Sequence, residues 1–176
     1  MPLDPPRGVV AGLCPGLNAA GPAGVEDTAV TELSYLNLYK NKERACENLT
    51  ITCVDFRFRK EIGGLLSRAG YDDFDLLALP GASKALIEEP GREVCLQAIG
   101  IVLQSRRSRR VIVVDHIDCA AYEGSGRFSN QQEEEAFHTD KLHQAARAIK
   151  EYYPSLEVVL MYMDWEKLKS VPAESA

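Results

Sequence analysis

The chain is short of the features that define several protein classes. It has no apolar run near the roughly twenty residues that a helix needs to cross a bilayer, so no membrane partner is expected. Met1-Pro2-Leu3-Asp4-Pro5-Pro6-Arg7 offers no charged region followed by an apolar core, so no secretory signal is expected. Basic residues are in deficit, 20 Lys and Arg against 26 Asp and Glu, and the net charge of -6 weighs against a nucleic-acid partner. Cysteines are too few, and odd in number, for a secreted disulfide scaffold: Cys14, Cys46, Cys53, Cys95 and Cys119. The expectation is a reducing, cytoplasmic setting in which some thiols bind metal and others are plain buried side chains.

What is present suits one globular domain. A chain of 176 residues with 45% hydrophobic content can bury a sizeable core without disulfides. Residues 1–27 are rich in Pro, Gly and Ala without a sustained period and read as a flexible arm. Val30, Leu33, Tyr35, Leu36, Leu38 and Tyr39 predict an amphipathic helix over 28–45 that needs a surface, either the domain or a partner subunit. The domain itself is expected over 28–166, with a loose polar tail over 167–176.

Four short apolar runs read as strands: Leu49–Val54, Phe74–Leu79, Val111–Val114 and Leu156–Met163. Between them lie helical patterns. Ile62, Leu65, Leu66 and Ala69 form one, stopped by Gly70; a second, over 92–105, is apolar nearly all round and predicted to be buried. Arg106, Arg107, Arg109 and Arg110 follow it as cations that complement a helix C-terminus. A third helix starts at a capping box of Asn130 with Glu133 and stops before Pro154. Alternating strands and helices predict an α/β fold: a mainly parallel sheet of four strands or slightly more, flanked by helices.

In such a fold, sites form at the C-terminal edge of the sheet. Two chemistry-bearing stretches fall there: Cys53-Val54-Asp55-Phe56-Arg57 and His116-Ile117-Asp118-Cys119. Thiolate and imidazole are zinc ligands, and Cys53, His116 and Cys119 can converge if their strands are neighbours. Asp55 is either a fourth ligand, which closes the site, or the ion-pair partner of Arg57, which leaves the fourth position to water. Asp118 is a candidate for orienting a ligand. His138 shares a helix face with Leu142, Ala145 and Ile149 and reads as half-buried packing, with a proton-shuttle role as the alternative. His143 reads as solvated and Cys95 as inert; Asp115 and Tyr122 flank the site loop without an assigned role.

The pattern Cys-x-Asp-x-Arg, followed one strand–helix unit later by His-x-x-Cys, resembles the β-class carbonic anhydrases over roughly residues 48–163. The resemblance implies one zinc ion per chain on Cys53, His116 and Cys119, with Asp55 and Arg57 as the catalytic pair. The implied reaction is reversible hydration of carbon dioxide to bicarbonate by a metal-bound water. It also implies a homodimer or a dimer-based oligomer with the cleft at the subunit interface. The chain departs from the family at Leu79-Pro80-Gly81-Ala82-Ser83, where an Arg-Asn-Ala-Gly-like stretch is usual, and at Ala120, where Gly is usual. Gly81, Ala82 and Ala120 are therefore the candidate substrate-pocket positions, with the Ala120 methyl expected to narrow the pocket. Two other functions stay open: hydrolysis of carbonyl sulfide or carbon disulfide on the same scaffold, and a non-catalytic protein with a closed Cys53–Asp55–His116–Cys119 zinc site.

Overall fold

The computed structural model describes residues 45–174. The expected arm over 1–27, nearly all of the 28–45 helix, and Cys14 lie outside the described residues. The sheet has five strands: β1 (Asn48–Thr52), β2 (Phe74–Ala78), β3 (Arg110–His116), β4 (Glu157–Met163) and β5 (Leu168–Val171). Their spatial order is β2-β1-β3-β4-β5. The first four are parallel and β5 returns antiparallel along β4. Val111, Ile112, Val113 and Val114 of β3 are wholly buried, as a strand covered on both faces requires.

Four α-helices connect the strands: α1 (Phe56–Arg68), α2 (Ser83–Ile87), α3 (Gly91–Arg106) and α4 (Gln131–Tyr152). In α1, Phe58, Ile62 and Leu66 recur every four residues and enter the core. Gly70, at φ +90°, ends this helix as expected: its N–H bonds Ser67 O, and Tyr71 N–H bonds Leu66 O. In α4, Glu134, His138, Leu142, Ala145 and Ile149 form the buried face. Helix α4 lies against β3 and β4, while α2 packs on α3, α4 and β3.

The order of the strands creates the site. From β1 the chain steps to β2 on one side, then crosses to β3 on the other. The carboxyl ends of β1 and β3 therefore diverge at a topological switch point, where open α/β sheets form crevices. The Thr52↔Val114 register sets the residue after β1 beside the end of β3.

Two expectations are corrected. The 167–176 tail is not uniformly loose, because Leu168–Val171 adds a strand to the edge of β4. Four residues are too few to show a period, and β4 supplies the template. Helix α3 is not buried all round: Cys95, Leu96 and Ile99 are buried, but Val94 and Ile101 are exposed, because the sheet and its neighbours meet only one stripe of it. Helix α2 lies where no element was expected, and is held by its contacts with α3 and α4 rather than by its own periodicity. The arginine run is held in ion pairs: Arg106 pairs with Asp75, Arg109 with Glu47, and Arg110, half-buried at the start of β3, with Glu157.

Candidate metal centre

Cys53 follows β1, His116 ends β3, and Cys119 lies three residues on. One ligand atom from each falls within 4.8 Å of the other two. The sulfurs of Cys53 and Cys119 are 3.9 Å apart. Two sulfurs at zinc–thiolate distance in a tetrahedral site sit about 3.8 Å apart, so the spacing fits zinc. His116 and Cys119 are each 2% exposed and Cys53 is 9% exposed.

The imidazole carries the more telling observation. His116 Nδ1 lies 2.7 Å from Ile117 O, so Nδ1 holds the proton and donates it. That leaves Nε2 with a lone pair, and this buried atom has no hydrogen-bond partner among the described residues. Unpartnered buried nitrogens are costly, whereas a metal ligand needs such a lone pair. The donor set of two sulfurs and one imidazole is the chemistry that zinc selects.

The two thiols share charge unequally. Cys119 alongside, helped by His116 and by the Gly81 N–H, holds the Cys53 thiol down to about 4 against the effect of burial. Cys53 in turn, together with burial, pushes Cys119 up. For His116, burial opposes the charged ring, but Cys53 and the Ile117 carbonyl outweigh it and hold the pKa above 6.5. One thiolate beside an imidazole is a cluster ready to exchange protons for a cation.

The structure places Asp55 away from the metal position. Its carboxylate takes hydrogen bonds from Arg57 Nε at 3.0 Å and Nη2 at 2.6 Å, and caps α1 by accepting from Arg57 N. The Arg57 side chain holds the Asp55 carboxyl down to about 2. Arg57 also reaches the second ligand loop, donating to Asp118 Oδ2 at 2.7 Å and Asp118 O at 2.9 Å. Asp118 thus orients Arg57 rather than a ligand. Its other oxygen accepts from Ser125 N.

Of the pocket positions, Gly81 and Ala82 are buried beside the site, and Gly81 N–H donates to Cys53 Sγ at 3.4 Å. Gly81 has φ +76°, and a methyl there would meet the Ala121 and Lys84 Cβ atoms at 2.9 Å. Ala120 is exposed and is not packed on the cysteines. Ala121 instead packs on the Cys53, Cys119 and Tyr122 cluster, because the chain turns into a 3-10 helix over Ala120–Tyr122.

His138 is wholly buried rather than half-buried, with Nδ1 3.0 Å from Asp115 Oδ2. His143 is partly buried and its Nε2 bonds Pro172 O. Burial among apolar residues pushes Cys95 up to about 11, an inert thiol. Sequence reasoning missed three groups near the site. Phe58 stacks on His116 with ring centroids 4.4 Å apart. Ser83 bonds Asp115. Glu134, 2% exposed, accepts from Asp118 N and Ser125 Oγ, both at 2.7 Å. One signal was available: Glu134 lies four residues before His138, on the face that enters the core.

Comparison with known proteins agrees with this architecture. A β-carbonic anhydrase, CafA of Aspergillus fumigatus, shares the fold at a TM-score of 0.58, covering 81% of this chain and 83% of its own, at 14% identity. A protein of Rickettsia bellii, described as uncharacterized, is 37% identical over 123 residues, 65% of this chain and 74% of that protein. Another from Rickettsia conorii, described likewise, is 30% identical over 155 residues, 84% and 83% of the two chains. A family model described as "Putative carbonic anhydrase" matches residues 43–171, from before β1 through the end of β5 and across all three clustered ligands, and the chain belongs to that family.

Proposed function

We propose that the chain holds one zinc ion on Cys53 Sγ, His116 Nε2 and Cys119 Sγ and hydrates carbon dioxide reversibly to bicarbonate. The observation that carries this reading is the unpartnered His116 Nε2 beside two sulfurs, with Asp55 turned to Arg57 instead of to them. Zinc, when bound, acts as a Lewis acid that makes water ionise near neutral pH.

The chain supplies the rest. A carboxylate offers about four acceptor positions. Arg57 N, Nε and Nη2 occupy three around Asp55. The remaining one accepts a hydroxyl proton, which fixes the orientation of a water at the site and turns a lone pair toward the carbon of carbon dioxide. Because Asp55 is ionised near neutrality, it accepts and does not donate. Addition of the water oxygen to carbon, with one proton released to solvent, gives bicarbonate. Ala121, Tyr122 and Phe137 around the cysteines form an apolar wall suited to an uncharged triatomic substrate.

The test is carbon dioxide hydration by stopped flow on protein assayed for zinc, from pH 7 to pH 9. Zinc-dependent turnover that rises with pH supports the reading. Stoichiometric zinc without turnover at any of these pH values overturns it in favour of a non-catalytic zinc protein. The reading includes a homodimer, supported by Phe56, 75% exposed beside Asp55 at the mouth of the site. Light scattering that returns a monomer mass for the zinc-loaded protein would remove that part.

A further inference from the structure

A buried carboxylate lies directly behind the ligands. Asp115 precedes His116 in β3 and is 2% exposed. Its Oδ1 accepts from Ser83 N at 3.0 Å. Its Oδ2 accepts from Ser83 Oγ at 2.5 Å and from His138 Nδ1 at 3.0 Å. Ser83 Oγ is also 2.9 Å from Tyr122 Oη. Ser83, His138 and Tyr122 are buried too. A charged group so deep is costly even when well paired, and an apolar residue of similar size often serves stability as well. The four residues before it in β3, Val111 to Val114, are apolar and wholly buried, so stability alone does not account for Asp115.

What this network grips is a turn under strain. Gly81 has φ +76°, and Ala82, next to it, has φ +38° and ψ -87°. For a non-glycine residue that backbone is strained and persists only where its surroundings hold it. The residue that follows, Ser83, is the one bound twice by Asp115. The residue that precedes Ala82 donates its N–H to Cys53 Sγ.

We propose that Asp115 and His138 are positioning residues: through Ser83 they lock the Gly81–Ala82 turn so that Gly81 N–H stays on the Cys53 sulfur. His138 aligns Asp115, Asp115 holds Ser83, and the turn delivers a backbone donor to a metal ligand. A hydrogen bond to a thiolate draws electron density from sulfur and so tunes how strongly it donates to a cation. The inference rests on the assignment of Cys53 as a zinc ligand.

The experiment uses the full chain loaded with cobalt(II), whose thiolate charge-transfer absorption reports on the ligand sulfurs. His138→Leu removes the donor to Asp115, Ser83→Ala removes one link, and His138→Asn returns a donor near the Nδ1 position. The expected result is a shifted charge-transfer band and zinc affinity lower by about 10- to 100-fold in His138→Leu and Ser83→Ala. His138→Asn should recover both toward wild type. A wild-type band and wild-type affinity in folded Ser83→Ala would overturn the proposal, and so would a loss in His138→Leu that His138→Asn leaves unchanged. Ser83→Ala decides the matter if His138→Leu does not fold. Wild-type protein that shows no thiolate–cobalt band would sink the zinc assignment itself and the inference with it.

Discussion

Cys53 and Cys95 are both thiols near or in the core, yet their surroundings give them opposite chemistry. Burial among apolar side chains pushes Cys95 up to about 11, while Cys119, His116 and the Gly81 N–H hold Cys53 to about 4. Cys53→Ser or Cys119→Ser should therefore abolish stoichiometric zinc in a metal analysis, and Cys95→Ala should keep it. Full metal in either serine variant would contradict the ligand set. Gly81→Ala should cost about 1–3 kcal/mol in denaturant unfolding, since the alanine meets two Cβ atoms at 2.9 Å in a left-handed conformation. Wild-type stability there would show that the turn gives way freely. The clustering of Cys53, His116 and Cys119 was legible in the sequence because thiolates and imidazole at strand ends have few other common roles together. Asp115, Ser83 and Glu134 were not, because their significance comes from partners between 9 and 32 residues away. The choice between the two readings of Asp55 was also beyond the sequence: only the side-chain geometry shows it bound to Arg57.

At the scale of elements, carboxylates set the ends. Asp55 caps α1, and Asp164 organises the turn between β4 and β5 by accepting from Glu166 N at 2.8 Å and Lys167 N at 2.9 Å, with Lys169 Nζ at 3.1 Å. Burial works against the Asp164 charge, but these donors outweigh it and hold its pKa below 3.8. A lowered folded-state pKa stabilises the fold fully above about pH 4, and the contribution fades as the pH falls below that value. The melting-temperature gap between wild type and Asp164→Asn should thus be constant near neutrality and close under acid. A gap unchanged down to pH 2 would assign the turn to backbone geometry alone. Strands β1 to β4 and helix α3 were legible as apolar runs of the right length, and helices α1 and α4 because an apolar period agrees with a terminal signal, Gly70 for one and Asn130 with Glu133 for the other. The two missed elements, α2 and β5, have five and four residues and owe their form to neighbours.

For the whole molecule, the proposed metal ties the end of β1 to the loop after β3, on the two sides of the switch point. A ligand that binds the folded state alone adds about 2.7 kcal/mol when free at 100 times its Kd. Zinc should accordingly raise the melting temperature and a chelator lower it reversibly; a melting curve indifferent to both would argue against a metal bound by the fold. The sheet has a further property at its other side. Residues Val158 to Met163 of β4 are apolar but for the Tyr162 hydroxyl, and among the described residues β5 alone stands between them and an open sheet edge. Strand edges of that composition recruit other chains, and short strands bearing lysine blunt them. Leu168-Lys169-Ser170-Val171 is such a guard. A chain cut after Glu166 should retain the metal-binding residues and yet precipitate, with scattering that grows with concentration, so the last strand acts as a solubility device for a sheet whose chemistry lies elsewhere.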